Sequence, residues 1–155
     1  MWFIFFIILL IWLYGLTWFS TNSEYEDSDL RSKPIQYGRK SMTLNGEEVK
    51  SKGEKRIADY FKSKNIKYVY EPGLREFYAD PDFYLPDYDV YVEYWGLLNA
   101  RDAWVAQKYE KSMKRKMAIY YTHNIKFISI YPGNLKHLEH TFPRKFEKVT
   151  GTKFH

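Results

Sequence analysis

The first 19 residues of "MWFIFFIILLIWLYGLTWFS" are apolar and carry no charged side chain. At about 1.5 Å per helical residue, a run of this length crosses a hydrocarbon layer of ~30 Å. Residues 1 to 19 are therefore expected to form one transmembrane helix, with Trp2, Trp12, Tyr14 and Trp18 as partial interface anchors. A cleaved signal peptide is the alternative, but the basic n-region that marks one is absent. Arg31, Lys33, Arg39 and Lys40 all follow the run, so the positive-inside rule places what comes after it in the cytoplasm. Residues 20 to 46 are polar, contain Pro34, Gly38 and Gly46, and show no sustained period; they read as a linker. Residues 47 to 155 form the expected domain.

Within that domain the period changes from element to element. "SKGEKRIADYFKSKN" sets Ile57, Ala58 and Phe61 at helical spacing. "IKYVYEP" and "REFYA" read as strands, and "FYL" with "DVYVEYW" as a hairpin around Pro86 and Asp87. "RDAWVAQKYEKSMKRKMAIYY" is a second helix, "IKFISIYP" a buried strand and "NLKHLEHTF" a third helix. Helices and strands interleave, as in a mixed α/β domain.

Composition narrows the chemistry. Fifteen tyrosines, 11 phenylalanines and 5 tryptophans supply ample core. Absent cysteine excludes a disulfide framework and any thiolate zinc site. The net charge of +5 belongs wholly to the part after the apolar run, and a basic excess of this kind suits a polyanionic partner.

The aromatic stretch "DPDFYLPDYDVYVEYWG" carries five acids, which a buried strand must solvate, pair or use to hold a cation. Partners across an antiparallel hairpin share a constant index sum and point to one face. A turn closed at Asp87 and Tyr88 makes the sum 175 and sets Asp82 opposite Glu93. A turn on Pro86 and Asp87 makes it 173, with the two acids diagonal on one face. An even sum would separate them. Converging carboxylates raise a pKa or recruit a cation, and an all-oxygen pair suits magnesium or manganese. The alternative is that these acids are solvated turn and strand-end residues.

Two helical residues bear on that choice. Glu54 lies on the stripe of Ile57, Ala58 and Phe61; it either supports a metal site or closes a capping box with Ser51, three positions earlier. On the second helix an arc of ~120° holds Val105, Ala106, Tyr109, Met113, Met117 and Tyr120. Of its four lysines only Lys116 falls inside that arc, while Lys108, Lys111 and Lys114 point outward. Lys116 either reaches the acids or lays its stem along the sheet with its amine in water. "KSMKRK" as a whole reads as a solvated basic face that can meet phosphates.

Glu54 on a first helix, "PDFYLP" with Asp82, "VYVEYWG" with Glu93, and "MKRKMAIYY" before "IKFISIYP" together resemble the PD-(D/E)XK nuclease superfamily. The likeness covers residues 49 to 135 and is greatest to the branch of very-short-patch repair endonucleases and helicase-associated nuclease domains. It implies a restriction-endonuclease-like αβββαβ core. The usual lysine of the family would fall at position 95, which is Trp95 here; in the branch resembled a lysine from the following helix replaces it, which matches Lys116 in the pattern Met113, Lys116, Tyr120. By that resemblance the chain is a membrane-anchored, magnesium- or manganese-dependent nuclease acting on phosphodiesters of DNA rather than RNA, with homodimerisation common among relatives. Asp82, Glu93 and the Tyr94 carbonyl would bind metal, Lys116 would orient water or offset charge, and Glu54 would be an outer carboxylate. Tyr109 and Tyr120 are expected to pack, and His123, His137, His140 and His155 to lie on surfaces or loops. An inactive nuclease fold that binds nucleic acid or recruits a protein at the membrane is the rival reading.

Overall fold

The computed structural model describes residues 38 to 77, 79 to 98 and 100 to 154. The expected transmembrane helix, most of the expected linker and His155 lie outside the described residues. Among the described residues no helix is long and apolar enough to cross a membrane.

The chain enters through a small antiparallel pair, β1 (Ser41–Met42) with β2 (Glu48–Val49). Gly46, at φ 81, turns the chain between them. This is a correction to the linker reading: part of residues 38 to 46 belongs to the ordered domain, because a pairing this short carries too little period to register in sequence.

Next comes α1 (Lys52–Ser63), capped by Ser51, whose hydroxyl accepts from the Glu54 N–H. A four-stranded sheet follows in the order β3-β4-β5-β6: β3 (Val69–Tyr70), β4 (Phe83–Leu85), β5 (Val90–Tyr94) and β6 (Phe127–Ile130). The first three strands run antiparallel, and β6 runs parallel to β5. That parallel pairing needs a crossover, which α2 (Ala103–Thr122) provides. A short α3 (Pro132–Leu135) and α4 (Leu138–Thr150) complete the mixed α/β domain.

Strand alternation divides the side chains between two faces. Phe83, Leu85, Val90, Val92, Ile128 and Ile130 lie on one face, buried with Ile57 and Phe61 of α1 and Phe142 and Phe146 of α4. The Phe142 ring meets those of Phe61 at 5.2 Å and Phe154 at 5.3 Å. The opposite face carries Glu93 and Phe127, which meet α2 through Lys116 and Tyr120.

Two sequence expectations need correction. "REFYA" is not a strand: Arg75–Phe77 form one 3-10 turn, and only an isolated bridge joins Leu74 to Ala79. Gly73, at φ 65, bends the chain just before it, and Leu74 and Ala79 then bond across the loop at 2.7 Å. The third helix is broken and longer than read. Its main part runs to Thr150 through Pro143, because the apolar stripe Leu138, Phe142 and Phe146 continues beyond the proline. Gly151, at φ 71, ends it.

Candidate functional site

The hairpin register decides what the acids do. Phe83 pairs with Val92, Tyr84 with Tyr91 and Leu85 with Val90, an index sum of 175. The loop combines the two alternatives open in the sequence. Its turn is centred on Pro86 and Asp87, closed by the Tyr88 N–H on the Leu85 carbonyl at 3.1 Å. Asp89, left-handed at φ 51, adds the residue that restores the sum of 175. Extending the ladder by one pair sets Asp82 against Glu93, both facing α2.

Each acid is held differently. The Tyr94 N–H donates to Asp82 Oδ2 at 2.6 Å. Glu93, only 1% exposed, receives Lys116 Nζ on both carboxylate oxygens, at 2.9 and 3.0 Å. The Tyr120 hydroxyl donates to Oε1 of the same group. Lys116 Nζ also donates to the Asp80 carbonyl at 2.6 Å and stands 5.7 Å from the Trp95 ring centre. The inward lysine of the helical wheel therefore reaches the acids, and its amine is not left in bulk water.

Electrostatics follow from burial and proximity. Burial, then the neighbouring Glu93 charge, raises the Asp82 carboxyl well above its ordinary range, against the pull of Lys116 and the Tyr94 N–H. Burial also raises Glu93, opposed by Lys116 and by the Tyr120 hydrogen bond. Tyr120 is pushed up by its own burial and by the Glu93 charge, so its proton stays on oxygen. Burial is the largest cause for both carboxyls, and two acids set this close can also recruit a cation.

Glu54 takes part in the cap weighed for it and also faces the cavity. It is 4% exposed; the Ser51 hydroxyl caps its N–H at 3.1 Å and donates to its carboxylate at 2.9 Å, half of the capping box the spacing suggested. It also accepts from the Lys50 N–H at 2.9 Å and the Tyr70 hydroxyl at 2.7 Å. At the same time it lines one cavity of about 380 Å³ with Asp82, Glu93, Tyr94, Trp95 and Lys116. Lys50 and Arg115 add positive charge to that wall.

The residues fit a divalent ion in part. Asp82 keeps Oδ1 outside its hydrogen bond with Tyr94, and the two acids are hard oxygen donors of the kind magnesium and manganese take alongside waters. The Tyr94 carbonyl does not fit the role expected of it. It already accepts from the Tyr109 hydroxyl at 3.1 Å and the Gly96 N–H at 3.0 Å, which fills both lone pairs. Among the described residues no group of three His, Cys, Asp or Glu converges as a ready metal cage.

Sequence reasoning missed the hydroxyls. Tyr109 and Tyr120, expected only to pack, both hydrogen-bond at the site. Tyr120 stands four residues beyond Lys116, on the same helical stripe, and that spacing carried the signal. His123 lies exposed with its ring 4.2 Å from that of Phe77. The outward lysines of α2 are partly engaged: Lys114 pairs with Glu110 at 2.7 Å and Lys108 stands over Trp104 at 5.0 Å. No family model matches the chain, and neither a curated protein nor a solved structure does.

Proposed function

We propose that the chain is a metal-dependent nuclease of the PD-(D/E)XK type, with a restriction-endonuclease-like core, hydrolysing phosphodiester bonds in DNA at a membrane. The observation that supports it most is the meeting of Asp82, Glu93 and Lys116 at one cavity, from two strands and a helix. Asp82 and Glu93 hold the ion. A bound magnesium or manganese ion supplies Lewis-acid polarisation of the phosphoryl group and a more acidic water. Lys116, fixed by Glu93 and the Asp80 carbonyl, sets a positive charge beside the scissile phosphate and offsets charge developing on its oxygens. Tyr120 holds the Glu93 carboxylate in its rotamer. Glu54 steadies the cavity wall through its cap and Tyr70.

The test is incubation of the detergent-solubilised full chain with linear and branched DNA in magnesium or manganese. Cleavage by the parent and its loss in Asp82→Asn and Glu93→Gln is the expected result; equal cleavage by Asp82→Asn ends the proposal. A second reading, a binding module without turnover, is favoured by one observation: Lys116 already occupies both Glu93 oxygens. Salt-sensitive DNA binding with no cleavage in either metal would select it.

A further inference from the structure

Two glycines flank one ring. A Cβ on Gly53, in the first turn of α1, would overlap the Tyr94 ring and hydroxyl, and a Cβ on Gly96 would overlap the same ring from the following loop. Neither glycine is needed for backbone conformation: the positive-φ glycines among the described residues are Gly46, Gly73 and Gly151. A helical glycine costs about 0.5–1 kcal/mol relative to alanine. Something must offset that cost at Gly53, and the room it makes is taken by Tyr94.

Packing alone does not require a tyrosine there. The ring lies against the apolar core, a role phenylalanine fills as well. Among the described residues the hydroxyl forms no hydrogen bond to the protein, and its oxygen is not one of the sealed, unpaired ones there, which are Tyr60 Oη and Trp95 Nε1. Residue 94 is otherwise pinned. Its N–H is on Asp82, and its carbonyl is on Tyr109 and Gly96. The backbone thus aims the ring, the two glycines clear its path, and the hydroxyl arrives in the cavity wall beside the first turn of α1. Of the bases lining the same cavity, Lys50 pairs with Glu71 and Lys116 with Glu93, and Arg115 adds a positive charge to the wall that a phosphate can meet.

We infer that the Tyr94 hydroxyl contacts substrate, donating a hydrogen bond to a phosphate oxygen of a strand bound in the cavity. The assignment rests on the nuclease reading and adds to it a substrate-contacting donor on the opposite sheet face from Glu93.

The experiment uses the full chain in detergent with a fluorescent DNA oligonucleotide. Binding is read by anisotropy in calcium, cleavage in magnesium, and melting temperature by circular dichroism. Tyr94→Phe, which keeps the ring and removes one oxygen, is expected to weaken binding about tenfold, the worth of a hydrogen bond to a charged acceptor, with cleavage falling in step. Its melting temperature should stay within about 2 °C of the parent, since no hydrogen bond of the fold is lost. Gly53→Ala, which displaces the ring, should weaken binding as much. Tyr94→Phe that binds and cleaves like the parent overturns the inference while leaving the nuclease reading intact. A parent that binds without cleaving, with binding lost in Tyr94→Phe, sinks the nuclease reading and keeps the hydroxyl contact. A parent that does neither overturns both.

Discussion

Lys116→Met gives the most direct physical test of the site. Methionine keeps the length and apolar stem of lysine, so the change removes an amine and little volume. What remains is Glu93, 1% exposed, with the Tyr120 hydroxyl and a hydrogen bond from Asp82 to favour its charge but no cation beside it. Breaking a buried pair by removing one partner typically costs about 3–5 kcal/mol, because the other charge is left uncompensated. The Lys116 side chain is 23% exposed, so the lower end applies, about 3 kcal/mol. For a domain of this size each kcal/mol moves the melting temperature by roughly 4 °C, which predicts a fall of about 12 °C at neutral pH.

The pH dependence separates this cause from a packing defect. Glu93 is already raised, and loss of the amine raises it further. A carboxyl raised in the folded state contributes its stability below the unfolded value, near pH 4.3, and loses it as pH rises through the folded value. The deficit of Lys116→Met should therefore be small at acid pH and grow toward neutrality. Adding Glu93→Gln should recover most of it, since no buried charge is then stranded. The assay is thermal unfolding of the full chain by circular dichroism at a series of pH values. A deficit equal at pH 5 and pH 8, or a double variant no more stable than Lys116→Met, would refute the reasoning.

Asp82→Asn should raise the melting temperature by a few degrees at neutral pH, since it removes one of two opposed acids, and the gain should vanish at acid pH, where Asp82 is protonated in the parent. Manganese or magnesium at a hundred times its dissociation constant should stabilise the parent by about 2.7 kcal/mol and leave Asp82→Asn unmoved; equal shifts in both would place the ion elsewhere. Phe142→Ala, which empties the contact between α1 and α4, should cost about 3–5 kcal/mol in denaturant unfolding while leaving the metal response in place.

The parts of the fold that could be read in the sequence are those where one period fixes one face. Asp82 and Glu93 were placed together by parity alone, because either odd index sum brings them to one side and only the loop decides which. Lys116 followed from a helical arc and Glu54 from its stripe. The unread parts lack a period. β1 and β2 are two residues each, held by a glycine turn. The 3-10 turn at Arg75–Phe77 shares its aromatic and apolar composition with a strand, and Gly73 alone tells them apart. Helix α4 hid behind Pro143, which reads as a stop although Leu138, Phe142 and Phe146 keep the stripe going.

The same parity has a cost that bears on function. An acid pair sealed against a sheet by one lysine is poorer for stability than apolar side chains of similar volume would be, as exchanges of buried ion pairs show. Tyr84 and Tyr91, the next cross-strand pair on the same face of the hairpin, pack ring on ring at 4.7 Å and demonstrate that this register accepts aromatic pairs. A chain this rich in aromatics had that option at Asp82 and Glu93 as well. It instead retains two raised carboxyls, the amine that faces them and a tyrosine tying one of them down. Such an arrangement departs from the locally most stable choice, and departures of that kind concentrate where a fold does chemistry. Replacing the whole cluster tests this: Asp82→Leu and Glu93→Leu combined with Lys116→Met and Tyr120→Phe, which strands neither the amine nor the hydroxyl, should fold, melt higher than the parent, and lose every response to magnesium or manganese. A chain so changed that fails to fold would mean the acids are structural, and the site would lose its claim to function.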